Sequence, residues 1–153
     1  MEVVTAHLPM YHRRVADPPR ARVLVADDAR VMRMLLRTWL ERLGFAVIEA
    51  ASGTEAFATL QTNPVDAALL DIHMPGVTGL QVLDQARNDQ KLKLLPIIII
   101  TTLGHAVDVE RGLRIGATAY LTKPLGYGDL LRALDVALPG KLGVRRTGAA
   151  APR

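Results

Sequence analysis

Residues 66–76 read Asp-Ala-Ala-Leu-Leu-Asp-Ile-His-Met-Pro-Gly. Four apolar residues in a row, Ala67 to Leu70, end on the carboxylate Asp71, and a turn begins at His73. A strand with one wet face alternates apolar and polar residues. An uninterrupted apolar run belongs to a strand covered on both faces, which is the habit of parallel sheets. The same plan recurs upstream in Arg22-Val-Leu-Val-Ala-Asp27 and downstream in Pro96-Ile-Ile-Ile-Ile-Thr101. Phe45 to Glu49 and Thr118 to Thr122 read as two further strands. Helical patterns fill the gaps. Met32, Leu35, Leu36, Trp39, Leu40 and Leu43 fall at i, i+3, i+4, i+7, i+8 and i+11, with Arg33, Arg37 and Glu41 on the opposite face. That is an amphipathic helix, and Gly44 is placed to stop it. The pattern predicts further helices over 53–62 (closed by Asn63-Pro64), 78–90, 106–115 (stopped by Gly116) and 127–138. Strand and helix therefore alternate through five βα units. The fold class is α/β: a five-stranded parallel sheet with five helices, doubly wound.

At 153 residues, 50% hydrophobic and 22% charged, the chain is sized for one globular domain. Residues 1–20 show no sustained periodicity, contain Asp17-Pro18-Pro19, and are expected to be a flexible leader. Residues 139–153 are rich in Gly, Ala, Pro and Arg and are expected to be a basic disordered tail. The domain is expected over 21–138. The net charge of +4 invites a nucleic-acid reading, but Lys141, Arg145, Arg146 and Arg153 supply it, while acid and base nearly balance between 21 and 138. A solvated basic tail is the simpler account. With no cysteine, disulfides, thiolate nucleophiles and Cys-ligated metals are excluded. No apolar run is long enough for a transmembrane helix. Glu2, His7, Pro9 and His12 spoil a signal peptide. The expected location is cytoplasmic.

In open parallel sheets ligands bind at the carboxyl ends of the strands. Strand one ends in Asp27-Asp28, strand three in Asp71, strand four in Thr101, and strand five in Thr122-Lys123-Pro124. Taken singly, each has an ordinary reading: Asp27 or Asp28 caps the helix beginning near Ala29, Asp71 starts a turn, Thr101 is a strand residue, and Lys123 is a solvated charge. Together they form a rim of three carboxylates, a hydroxyl and an ammonium. Clustered carboxylates raise one another's pKa unless a cation sits among them, and an oxygen-only donor set suits Mg²⁺. Lys123 and Thr101 can then bind the oxygens of a phosphoryl group carried by Asp71.

Over about Arg22 to Leu138 the chain resembles the receiver domain of two-component response regulators, the CheY-like fold. The resemblance is carried by Asp27-Asp28, by Leu69-Leu-Asp-Ile-His-Met-Pro-Gly-Val-Thr-Gly79, by Thr101 five residues after Pro96, by Gly116-Ala117, and by Tyr120-Leu-Thr-Lys-Pro124. It implies the flavodoxin-like strand order 2-1-3-4-5. It implies Asp71 as phospho-acceptor; Asp27, Asp28, Asp71 and the backbone carbonyl of His73 as holders of Mg²⁺ (or Mn²⁺); Thr101 as the switch hydroxyl; Tyr120 as the aromatic that follows it inward; Lys123 as the phosphoryl-binding lysine; and a cis Lys123–Pro124 peptide. The His73 imidazole has no metal role on this reading and flanks the acceptor. Thr102 and Leu103 depart from the family, which usually has a small residue after the switch position and often a polar one next.

The implied activity is that of a phospho-accepting switch, not a turnover enzyme: a histidine kinase or histidine phosphotransfer protein donates, and an output protein is controlled through the face made by helix four, strand five and helix five. A homodimer formed on phosphorylation is compatible with that face. A phosphatase of the haloacid dehalogenase type needs a second carboxylate two residues after its nucleophile, where His73 stands. A receiver-fold scaffold that works without phosphorylation remains an alternative. So does the N-terminal fragment of a longer DNA-binding regulator, since the residues after the last helix are too few for a helix-turn-helix domain.

Overall fold

The computed structural model describes residues 19–102 and 105–142. Most of the expected leader and tail, and Leu103, lie outside the described residues. Five strands, β1 (Arg22–Ala26), β2 (Ala46–Ala50), β3 (Ala67–Asp71), β4 (Ile97–Thr102) and β5 (Ala119–Lys123), alternate with five helices, α1 (Arg30–Arg42), α2 (Gly53–Thr62), α3 (Gly79–Arg87), α4 (Ala106–Ile115) and α5 (Tyr127–Ala137). All four strand pairings are parallel and the order is β2-β1-β3-β4-β5. The α/β class, the five βα units and the strand order are those expected.

Side chains alternate across each strand, and here both faces are apolar. Val23, Val25, Ala67, Leu69, Ile98 and Ile100 join Leu36, Leu40, Leu130 and Leu134 of α1 and α5 in one core. Leu24, Ala26, Ala68, Leu70, Ile97 and Ile99 join Ala56, Leu60, Val82 and Leu83 of α2 and α3 in the other. This is why the strands read as unbroken apolar runs. Each fully buried leucine or isoleucine contributes roughly 1.5–3 kcal/mol.

Where the strands and helices stop is set by local polar groups. Leu43 closes α1, and Gly44 follows at φ 93°. Its N–H donates to Glu41 and that of Phe45 to Leu40, which satisfies two terminal carbonyls. α3 ends at Arg87, sooner than its periodicity predicts. The Asn88 amide turns back to the Asp84 carbonyl at 2.9 Å, and the Asp89 carboxylate accepts from the Lys91 N–H at 2.8 Å. Such side chains compete with the helix for backbone partners. Asp66 lies outside β3 for the same kind of reason: its carboxylate accepts from the Arg22 N–H at 2.8 Å.

Leu69 sits at the centre of the middle strand with no exposed surface. Leu69→Ala is expected to cost about 2–5 kcal/mol of stability, read as a lower urea midpoint at unchanged slope.

Candidate functional site

The strand order decides what meets at the rim. β1 and β3 are neighbours, with Ala26 opposite Leu70, so the carboxylates of Asp27 and Asp71 leave the sheet side by side. Both are buried, as is Thr101 at the end of β4. Asp28 is exposed beside them, and one oxygen from each of Asp27, Asp28 and Asp71 lies within 4.8 Å of the others. β5 is two strands from β3 and three from β1. Only a long side chain bridges that span. Lys123 does so, with Nζ 3.2 Å from Asp27 Oδ2 and 3.4 Å from Asp71 Oδ1. Its peptide bond to Pro124 is cis.

Two buried carboxylates facing one ammonium leave a charge deficit. Burial, and then the neighbouring charge of Asp27, push Asp71 from its ordinary 3.8 up to about 6, against the pull of Lys123. Burial alone would lower Lys123, but Asp71 and Asp27 outweigh it and hold the lysine above its ordinary range. Asp27 Oδ1 accepts from the Ala29 N–H at 2.8 Å. The acid thus supports the loop just before α1, while Ala29 occupies the cap position and no side chain caps the helix. Asp27 Oδ2 is buried without a hydrogen-bond partner, Lys123 being an ionic neighbour only. Three clustered carboxylates, one with a buried oxygen whose neighbour is the Lys123 ammonium alone, fit a hard divalent cation such as Mg²⁺.

The turn after Asp71 is tight. Gly79, at the start of α3, brings its backbone onto that of β3: an added Cβ would lie 2.3 Å from the Asp71 carbonyl oxygen. The Gly79 N–H donates to the Ile72 carbonyl at 3.0 Å. Thr78 caps α3 in a reciprocal pair with Gln81, so loop and helix are fastened together.

Some expected residues stand apart from the carboxylates. The Tyr120 side chain is exposed on β5. The Thr101 hydroxyl contacts the Thr102 carbonyl at 3.4 Å, and Thr102 is exposed. The His73 imidazole points outward to Asp108, at 3.0 Å. The sequence reading missed Arg33. Its Nη1 donates to the Asp27 carbonyl at 2.7 Å and its Nε to Glu49 at 3.1 Å, tying α1 to the rim and to β2. Periodicity had placed it on the solvent face, and its spacing from Asp27 was the only signal.

Residues 23–142 match the family model of the response regulator receiver domain. The chain is 36% identical to protein PilH of Pseudomonas aeruginosa, over 78% of this chain and 99% of that protein. It is 37% identical to chemotaxis protein CheY1 of Helicobacter pylori strain 26695, over 76% and 96%. The chemotaxis response regulator CheY4 of Vibrio cholerae superposes with a TM-score of 0.72 at 33% identity, over 77% of this chain and 98% of that one. The chain belongs to the response regulator receiver family, the signalling switches of two-component systems. No helix among the described residues is long and apolar enough to cross a membrane.

The raised Asp71 value has a stability consequence. Between 3.8 and about 6 the folded state holds a proton that the unfolded chain has lost, so in metal-free solution stability falls as pH rises through that window. Asp71→Asn removes the effect. In EDTA at pH 7.5 the variant is expected to exceed the wild type by about 3 kcal/mol, with the gap closing below pH 4. Urea midpoints at the two pH values read it, and equal gaps at both would contradict it.

Proposed function

We propose that Asp71 accepts a phosphoryl group from a phosphohistidine of a histidine kinase or phosphotransfer protein, and that the new charge switches the face made by α4, β5 and α5 toward an output protein. The observation that carries the reading is the buried Asp71 carboxylate, raised to about 6, with Lys123 Nζ 3.4 Å away and Asp27 beside it. An Asp71 oxygen attacks phosphorus, the phosphorus–nitrogen bond breaks, and the imidazole leaves with the electron pair. The product is an acyl phosphate. Transfer of this kind asks chiefly for positioning and neutralised charge. Lys123 is held by two carboxylates and already faces the acceptor, so it can follow the charge onto the phosphoryl oxygens.

Asp27, Asp28, Asp71 and the His73 backbone carbonyl are assigned to hold Mg²⁺ or Mn²⁺. A bound divalent ion supplies positive charge that lowers the Asp71 pKa and offsets the phosphoryl charge. Thr101 takes the role of switch hydroxyl at the buried end of β4. Tyr120, half-exposed, is the aromatic with room to turn inward. Beside it, Leu113 and Val136 expose apolar surface that lines one groove with Asp129 and Arg132, which suits a protein partner. The rearrangement is a shift between two packings, biased by phosphorylation. Thr102 and Leu103 are the residues expected to alter the lifetime of the acyl phosphate.

Acetyl phosphate or phosphoramidate with Mg²⁺ is expected to give a species retarded on a phosphate-affinity gel. EDTA and Asp71→Asn should both abolish it. No retarded species from either donor would favour a receiver that binds its partner unmodified. Thr101→Ala is expected still to form the phosphoprotein while losing the shift of the Tyr120 ring resonances in NMR spectra. If those resonances move as in wild type, Thr101 is not the switch.

A further inference from the structure

The outward side of the acceptor loop carries a second cluster. His73 lies two residues past Asp71, and its Nε2 is 3.0 Å from Asp108 Oδ2. His105, just before α4, places Nδ1 3.2 Å from the same oxygen. The two imidazole rings meet edge to face with centroids 4.6 Å apart. One ligand atom from each of the three residues lies within 4.8 Å of the others. The histidines are exposed and Asp108 is partly buried, so the cluster is open to solvent on one side.

Two neutral imidazoles and one carboxylate are the donor set of borderline transition ions, not of Mg²⁺. The spacing fits as well. Tetrahedral ligands at the Zn–N and Zn–O lengths of about 2.0–2.2 Å stand roughly 3.3–3.6 Å apart. Separations of 3.0 and 3.2 Å therefore need only small rotations of three side chains to admit an ion. The three residues come from two elements. His73 belongs to the loop after β3, while His105 and Asp108 are at i and i+3 across the start of α4. Without an ion, both ring nitrogens converge on a single carboxylate oxygen.

The geometry points to a transition-metal site of the Zn²⁺ type formed by His73 Nε2, His105 Nδ1 and Asp108 Oδ2, with a fourth position left to water. The site is separate from the carboxylate cluster of Asp27, Asp28 and Asp71 and does not depend on phosphorylation of Asp71. An ion there clamps the acceptor loop to the first turn of α4. It thereby restrains the element whose face is proposed to change.

The test is a Zn²⁺ titration of the full chain with excess Mg²⁺ present to fill the carboxylate cluster, followed by calorimetry and by the imidazole resonances. One Zn²⁺ is expected to bind and to shift the ring signals of His73 and His105. His73→Ala and His105→Ala should each weaken binding by roughly tenfold or more, since even second-shell changes cost 10–100-fold. Asp108→Asn should weaken it as well. Circular dichroism confirms that each variant is folded, as is expected of changes at exposed or half-exposed positions. Affinity unchanged in both histidine variants would overturn the assignment and place the ion elsewhere, for example at His7 and His12. Absence of Zn²⁺ binding by the wild type would also overturn it.

Discussion

The molecule depends on a conflict of charge at one edge of its sheet. Parallel pairing of β1 and β3 delivers Asp27 and Asp71 to the same place, buried, with their oxygens close together. In a low-dielectric setting two such carboxylates do not ionise freely. Lys123 relieves part of the repulsion by reaching across the end of β4, while burial first, and then the charge of Asp27, still hold the Asp71 pKa raised. A purely structural cluster would gain from replacing these groups with apolar ones of similar volume. Here the charged groups stay together at the strand ends and are held by Lys123. Positive charge in the cavity then matters for stability and for chemistry alike.

The rest of the fold keeps that edge fixed. Both faces of the sheet are sealed by apolar helices, so the strands cannot slide without exposing core. Arg33 holds the Asp27 carbonyl from α1, and Gly79 allows α3 to start against the backbone of Asp71. The tight loop fixes the backbone that carries Asp71. β5 is the outermost strand on its side, with Tyr120 exposed. This edge strand carries the lysine that reaches Asp71. That ion pair joins the edge strand to the carboxylates at the centre of the sheet.

Much of this was legible in the residues. The unbroken apolar runs of β1, β3 and β4 announced a sheet covered on both faces, and their terminal acids and hydroxyl marked the rim. The helix over 53–62 ends where Asn63-Pro64 puts it, while the structure adds a Ser52 side-chain cap at its start. The illegible parts share a cause: they depend on which side chain claims which backbone group. Asn88 and Asp89 shorten α3. Asp66 stays outside β3 and its carboxylate accepts from Arg22. Asp27 supports Ala29 without capping α1. Arg33 looked like a solvent-face residue because periodicity gives the direction of a side chain but not how far a long one reaches. Family resemblance supplied the order of the strands, which periodicity cannot, because it records burial and not adjacency.

His73 shows how one short turn can serve two environments. Asp71 is the last residue of β3 and faces the buried carboxylates. Two positions later, past the buried Ile72, His73 faces solvent, Asp108 and His105. The backbone between them is fastened to α3 through Gly79. The His73 imidazole thus sits two peptide units from Asp71, on a loop tied to the start of α3. The Asp108 carboxylate that His73 and His105 share holds this loop against the first turn of α4. Any movement of α4 away from the loop after β3 must therefore break the contact that His73 makes with Asp108.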